Sequence, residues 1–135
     1  MLKPPVLSGA FRTSNALGEV SRSGYLFQLW LPAKDGTFVS ETVRNIGAGV
    51  LDPVAAEAHW RCYAWPSAYD VSGSRTFFID DAGDTWATED AHYSGSGAGP
   101  VPGAAVARPG TLVAETPSSA ATFTGADGNV WKKVN

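Results

Sequence analysis

The chain has 135 residues, of which 44% are apolar and 17% charged, with 15 glycines and 9 prolines, and this composition predicts one globular, loop-rich domain rather than a coiled coil or a long helical bundle. Its formal net charge of -3 and its scattered basic residues argue against a nucleic-acid ligand. Since no credible core segment comes near the roughly 20 apolar residues of a spanning helix, no membrane span is expected in this chain.

The first 22 residues are expected to form an N-terminal arm or an edge strand. Residues 19–22 lie between a turn signal at residues 15–18 and a tight-turn signal at Ser23-Gly24, which favours pairing with the strand that follows. The short apolar run at the start is broken by Pro4 and Pro5, so it does not match a secretory signal.

Residues 23–93 are predicted to form a β-rich core. Its strands are apolar and aromatic runs bounded by prolines or by Asp/Gly turns: Tyr25 to Leu31, Trp60 to Trp65, Thr76 to Ile79 and Thr85 to Thr88. One short helix interrupts them, because Asp52 is an N-cap acceptor and Pro53 suits the first helical position. The first three strands are expected to be neighbours that share one core, made by Phe27, Leu29, Tyr63 and Phe77 or Phe78.

From Ser94 to Ala120 the chain is rich in glycine, alanine, proline and serine, so it is expected to be an extended loop or arm on the surface. Deletion of Gly95 to Ala105 is then expected to leave the monomer folded. In an assembly, this arm or the arm from Pro4 to Leu17 is expected to contact a neighbour. Residues 121–135 repeat the Thr-Phe, Asp/Gly turn and Trp pattern of residues 76–86 and predict a C-terminal hairpin.

These elements predict a single domain over residues 1–135 of the α+β class, predominantly antiparallel β. We expect a small sheet of three to five strands with one short helix and long loops rich in glycine, alanine and proline. Packing must stabilise this domain, since a single cysteine cannot form an internal disulfide.

Residue types that catalyse reactions are scarce in this chain. Cys62 lies inside a predicted strand, where a cysteine is usually a small buried apolar residue. His59 follows the short helix and His92 lies in a polar loop, and neither belongs to a nucleophile, phosphate or zinc motif. The sequence therefore predicts a protein that is not an enzyme, with no catalytic residue and no cofactor.

An acidic cluster follows the third predicted strand. Its candidate metal ligands are Asp80, Asp81, Asp84 and Asp90. Carboxylates in a tight turn can converge on calcium, but this spacing does not match the twelve-residue calcium loop. The favoured interpretation is that the acids form turns in which Gly83 and Gly128 supply positive φ, and calcium binding is the alternative.

Tryptophan is unusually frequent for a chain of this length. The five tryptophans are Trp30, Trp60, Trp65, Trp86 and Trp131. Turned inward, each would bury about 150 to 250 Å² in the core, whereas on an exposed face they would stack a sugar ring or a partner loop. Both placements stay open at this point, and the core is favoured.

Four segments resemble, in their order along the chain, the globular heads of bacterial pseudopilins and type IV pilin-like proteins, such as those of type II secretion systems. These segments are Ser23 to Pro32, Asp52 to Glu57, Tyr63 to Pro66 and Ser72 to Asp84. The resemblance implies an α+β head whose small sheet packs on a long N-terminal helix, exported to the periplasm or cell surface of a bacterium and assembled into a filament or pseudopilus. The leader and apolar helix of that family are not visible here, so the chain is either the soluble head of a longer, helix-anchored protein or a relative that docks by another surface.

The resemblance favours a non-enzymatic structural protein that acts through surface contacts in a filament or a secretion-associated assembly. Its partners would be further copies of itself or related pilin-like subunits. The alternative is a small β-rich binding module that stacks a glycan or a partner protein on exposed tryptophans.

Overall fold

The strands of this protein are mostly short, and its helix has fewer than two turns. A computed structural model describes residues 17–35, 37–40, 49–81, 83–105 and 122–134. Within these residues the strands are β1 (Glu19–Arg22), β2 (Tyr25–Pro32), β3 (Phe38–Ser40), β4 (Arg61–Pro66), β5 (Thr76–Asp80), β6 (Thr85–Thr88), β7 (Thr122–Thr124) and β8 (Val130–Val134). The helix, α1 (Pro53–Ala58), lies between β3 and β4 in the chain.

All of these strands belong to one antiparallel sheet. Its order is β1-β2-β4-β5-β6-β8-β7, and β3 pairs with the last three residues of β2. The expected α+β fold with three to five strands is therefore wrong, because the described residues form eight strands and a single six-residue helix. The sequence underestimates the sheet because β3, with three residues, is too short to show a strand period, and because no local pattern shows that the C-terminal hairpin joins the central strands. Pairing of β3 with β2 and of β8 with β6 adds these strands to the sheet.

The strongest local signals in the sequence are confirmed. β2 pairs with β4, and β4 pairs with β5, as the sequence predicts for neighbouring strands. The hairpin between β1 and β2 turns at Ser23 and Gly24, whose φ angles are 56° and 81°. Asp52 caps α1 by accepting hydrogen bonds from the backbone N–H groups of Val54 and Ala55, both at 3.1 Å.

The sheet has two apolar faces rather than one. Residues paired directly across strands point to the same face. One such row consists of Phe27, Ala64, Phe77, Ala87 and Lys132, and we call its side of the sheet the groove face. The adjacent row consists of Gln28, Tyr63, Phe78, Trp86 and Lys133, and we call its side the tryptophan face.

The single core expected for the three central strands is therefore wrong. Tyr63 and Phe78 belong to a buried cluster on the tryptophan face. Leu29 and Phe27 belong to a second cluster on the groove face. The physical reason is the period of two along a strand, which sends successive side chains to opposite faces.

Residues 94–105, here called the covering segment, lie over the tryptophan face. The indole Nε1 of Trp65 donates a hydrogen bond of 2.9 Å to the carbonyl oxygen of Gly95. The hydroxyl of Tyr63 donates to the carbonyl oxygen of Pro102 at 2.8 Å and accepts from the N–H of Ala105 at 3.0 Å. Since Ala105 is fully buried, this part of the expected surface arm belongs to the core. The remainder of the arm, residues 106–120, lies outside the described residues, as does the arm from Pro4 to Leu17 apart from Leu17 itself.

Candidate functional site

An apolar groove crosses the middle of the groove face. Its volume is about 320 Å³. The apolar side chains that line it come from β2, β4 and β5 and include Tyr25, Phe27, Cys62, Ala64, Phe77 and Ile79. Alternation along β5 accounts for the lining, because Phe77 and Ile79 are only half-buried whereas Thr76, Phe78 and Asp80 are fully buried on the other face. The described side chains that line the groove include no acid and no histidine.

The two ends of the groove differ in packing. Leu51, just before α1, and Trp60, just after it, pack with the buried Leu31. These contacts lie at the Pro32 end of β2, where the N–H of Asp52 donates a hydrogen bond to the carbonyl oxygen of Pro32 at 3.1 Å. We call this the closed end. The opposite end, where β2 begins at Tyr25, is the open end.

The open end is built by the loop of residues 67–75. The N–H of Ser67 donates a hydrogen bond of 2.9 Å to the carbonyl oxygen of Gly24. Gly73 lies directly against the Tyr25 ring, and an added Cβ would overlap that ring. The Tyr25 ring also contacts Phe77, with ring centroids 6.1 Å apart. The loop and the neighbouring strand therefore fix the aromatic wall at this end.

Charged residues of both signs lie at the two ends of the groove. At the open end, Arg22 lines the groove, and the guanidinium of Arg75 lies 5.2 Å from the centroid of the Phe77 ring. Beyond the closed end, Asp81 accepts a hydrogen bond of 3.2 Å from the N–H of Trp60, and its other oxygen lies 3.3 Å from Nδ1 of His59. Acids also lie at the open end, since Asp70 belongs to the same loop and Glu89 accepts a hydrogen bond of 2.8 Å from the hydroxyl of Tyr69. At the closed end, the exposed Lys34 donates its backbone N–H to the carbonyl oxygen of Val50 at 2.9 Å.

The tryptophans do not gather on one exposed surface. Trp65, Trp86 and Trp131 are 0% exposed and form the centre of the tryptophan face. Trp30 is half-buried and packs against the same cluster. Trp60 is half-buried and packs on the groove face instead. No shared stacking platform therefore forms among these five side chains, all of which lie in the described residues.

The four candidate metal ligands lie in separate environments. Asp80 is fully buried and is paired in register with Arg61, whereas Asp84 is 3.6 Å from Nζ of Lys133. Asp90 accepts hydrogen bonds from the side-chain amide of Asn129 at 2.8 Å and from the N–H of His92 at 2.9 Å, and these bonds lower its pKa. In the described parts of the chain, no three or more histidine, cysteine, aspartate and glutamate side chains are placed to hold a metal ion.

The acidic turns show the backbone geometry that their glycines predict. Gly83 and Gly128 have φ angles of 91° and 84°, which confirms positive φ at both positions. Asp127 accepts a hydrogen bond of 3.0 Å from the N–H of Asn129, two residues further along. This local bond is typical of an Asx turn.

Calcium is therefore expected to leave the thermal stability of this protein unchanged. Ions that bind only the folded state raise its stability, and they would raise Tm. We expect the same Tm in millimolar calcium and in chelator, measured by circular dichroism. A rise of several degrees that disappears in Asp81→Ala or Asp84→Ala would instead establish the calcium site.

The cysteine and the two histidines, which have the most reactive side chains of the chain, lie in different environments. Cys62 is buried in β4 and borders the groove. The side chain of His92 is 94% exposed, and its Nδ1 lies 2.8 Å from Asp90. His59 lies beside Asp81. The apolar walls of the groove are suited to contact with an apolar group.

Arg22, Arg75 and the groove itself are not identified by the sequence analysis above. The signal that could have found them is the run Phe77-Phe78-Ile79, which places apolar residues on both faces of one strand. A sheet with one solvated face would alternate apolar and polar residues there. When a strand carries apolar residues on both faces of the sheet, each face needs to be shielded from water.

Comparison with known proteins identifies no relative, since no family model, curated protein or solved structure matches the chain. In the parts of the chain that the structure describes, no helix has the length and apolar character needed to cross a bilayer.

Proposed function

We propose that this chain is a non-enzymatic structural protein that works through protein contacts in an assembly, as pilin-like heads do in filaments and pseudopili. The observation that carries the proposal is the apolar groove on the groove face of the sheet. The resemblance of residues 23–88 to pilin-like heads supports the same class. In this proposal the protein acts in the bacterial periplasm or at the cell surface, and its partners are further copies of itself or related subunits.

The two faces of the sheet account for the proposed contact. On the tryptophan face, the covering segment shields the aromatic side chains from water. On the groove face, Tyr25, Phe27, Phe77 and Ile79 are adjacent and apolar, and each is only partly buried. A concave apolar site of about 320 Å³ is suited to receiving apolar side chains of a partner. A segment of a partner that filled the groove would remove these side chains from water.

The proposal predicts selective cross-linking from the groove. A photo-reactive phenylalanine analogue at Phe27, which lines the groove, should form a cross-link to a second copy or to a pilin-like subunit in the source cells. The matched control carries the same analogue at Val54, which is 79% exposed on α1 and does not line the groove. The control should give no such product.

Mass spectrometry of the cross-linked species identifies the partner. A structural subunit joined at position 27 alone supports the proposal. Equal products from both positions, or no protein product from position 27, would contradict it. A melting curve of each labelled protein shows whether it is folded before it is compared.

A further inference from the structure

The floor of the groove is narrow and is made of small side chains. Its residues on β4, Cys62 and Ala64, are 7% and 9% exposed. Larger side chains flank them, with Phe27 from β2 on one side and Phe77 from β5 on the other. β2 and β5 lie two strand spacings apart, about 9.6 Å, and the two rings occupy part of that distance. The space over the floor therefore suits a thin, elongated group.

The middle of the groove offers no partners for polar groups of a ligand. β4 pairs with β2 on one edge and with β5 on the other, so its backbone N–H and C=O groups are used within the sheet. Among the described side chains that line the groove, the charged one is Arg22, and the aliphatic hydroxyls are those of Ser23 at the open end and Thr85 near the closed end. A peptide backbone or a sugar on the floor would lose hydrogen bonds to water without replacing them. A hydrocarbon chain has no such bonds to lose.

The size of the groove matches one small ligand. Its volume of about 320 Å³ lies at the lower end of the roughly 300 to 1,000 Å³ found for small-molecule sites. An interface between two proteins covers about 800 Å² on each partner, so the groove alone would be only a part of one. Its shape is also preformed, because Gly73 lies against the Tyr25 ring and the centroid of that ring is 6.1 Å from the centroid of Phe77. A preformed site loses little conformational freedom on binding.

The two ends of the groove give a ligand a direction. Leu29 is paired in register with Cys62 and is 0% exposed, so the accessible apolar floor ends there. At the open end, Arg22 and Ser23 line the groove and are exposed to water. Acids and arginines both surround that end, so the charge of a head group is not selected there. A polar head of either sign stays hydrated at the open end, while an apolar tail on the floor provides the binding energy.

We infer that the groove binds the hydrocarbon tail of a free single-chain amphiphile, with the tail on Cys62 and Ala64 and the polar head in water beside Arg22. The inference goes beyond the proposed function, because it assigns a small-molecule ligand to this face of the sheet. The tail and a partner subunit would use the same side chains, so bound ligand competes with the protein contact. The concentration of the amphiphile would then regulate assembly.

Two series of alkyl probes test this inference. Alkyl carboxylates and alkyltrimethylammonium salts, each from hexyl to dodecyl and each below its micelle concentration, are titrated into the full chain by calorimetry. We expect each added methylene group to tighten binding about two- to fourfold, because it buries further apolar surface. The increment should be the same in both series, since the tail and not the head is recognised, and it should cease once the tail fills the groove.

A variant with a filled floor shows whether the tail lies in the groove. Ala64→Phe places a ring on the floor and should weaken binding of the decyl probes at least about tenfold. The matched control Val54→Phe introduces the same ring on α1, where Val54 is 79% exposed and does not line the groove, and it should keep the wild-type affinity. Melting curves are recorded for both variants, and only folded variants enter the comparison.

Photo-cross-linking gives a second measurement that leaves the floor unchanged. A photo-reactive phenylalanine analogue at Phe27, on the wall of the groove, should form a covalent adduct with the decyl probes. The same analogue at Val54 should form none. Mass spectrometry of the labelled proteins detects the adduct by the added mass of the probe.

The failure of this inference is distinguishable from the failure of the proposed function. Affinity that does not rise with tail length, affinity that Ala64→Phe leaves unchanged, or the absence of an adduct at position 27 would each overturn the inference. Binding to phosphatidylcholine vesicles without binding to the free probes would also overturn it, because the occupant would be a membrane. A subunit cross-linked from position 27 in a chain that binds no tail would refute the ligand and leave the proposed function intact. Tail binding without any protein cross-link from that position would refute the proposed function alone.

Discussion

Deletion of residues 95–105 is expected to abolish the cooperative unfolding transition of this protein. The deletion removes Ala104 and Ala105, which are 1% and 0% exposed, and it uncovers Trp65, Tyr63 and Trp131. If each of these three rings regained about 100 Å² of its surface, the loss at about 25 cal/mol per Å² would be roughly 7 kcal/mol. Domains of this size have a total stability of about 5 to 15 kcal/mol.

Hydrogen bonds add to this loss. The Trp65 indole, the Tyr63 hydroxyl and the Asp127 N–H all bond to backbone groups of the covering segment. The measurement is a thermal melt followed by near-ultraviolet circular dichroism, which reports on packed aromatic rings. Val101→Ser is the matched control, since Val101 lies in the same segment and is 66% exposed. A deletion variant that melts like the wild type would show that the covering segment lies outside the core.

The burial of the covering segment could not be predicted from the sequence. Its glycines, alanines and prolines carry no period and little apolar area, so they are typical of a surface loop. Their burial depends on rings from several strands that are distant in the chain. Gly99 illustrates this, because it lies so close to the Trp65 ring that an added Cβ would overlap it. Position 99 needs a small residue because of a ring that is distant in the chain. No local sequence pattern reveals that requirement.

Elements that depend only on residues adjacent in the sequence could be predicted. The turn at Ser23-Gly24 and the capped start of α1 at Asp52-Pro53 each depend on two or three adjacent residues, and both are confirmed. The pairing of β2, β4 and β5 follows from their long apolar runs, although residues 33–60 lie between β2 and β4 in the chain. In contrast, β3 has three residues and no run of its own, so only its pairing with β2 identifies it.

The candidate site was predictable only in part. Alternation along β5 shows that Phe77 and Phe78 point to opposite faces, but it does not show which face the covering segment shields. The same limit applies to the tryptophans, because Trp65 and Trp60 lie on β4 and beside it and still reach different faces. The open end of the groove combines Arg22 from β1 with Arg75 from the loop before β5. Because Arg22 and Arg75 are far apart in the chain, their common location becomes apparent only once the order of the strands is known.

Phe77 and Phe78 provide a direct test of this two-faced core, since they are adjacent and chemically identical. Phe78 is 0% exposed and packs against Tyr63 and Trp131, with ring centroids at 4.8 and 6.3 Å. Phe78→Ala would leave a closed cavity, so we expect the free energy of unfolding to fall by about 3 to 5 kcal/mol.

Phe77→Ala is the matched control for that change. Phe77 is half-exposed in the groove, so its truncation widens an open surface instead of creating a closed cavity. We expect a smaller loss of about 1 to 2 kcal/mol, because part of the ring is already in water. Urea unfolding of both variants measures the difference, with equal slopes showing that the two unfolded states are comparable. Equal losses would mean that both faces are closed in solution and that the groove is already filled. A larger loss for Phe78 alone would show that the groove face is still open to a partner.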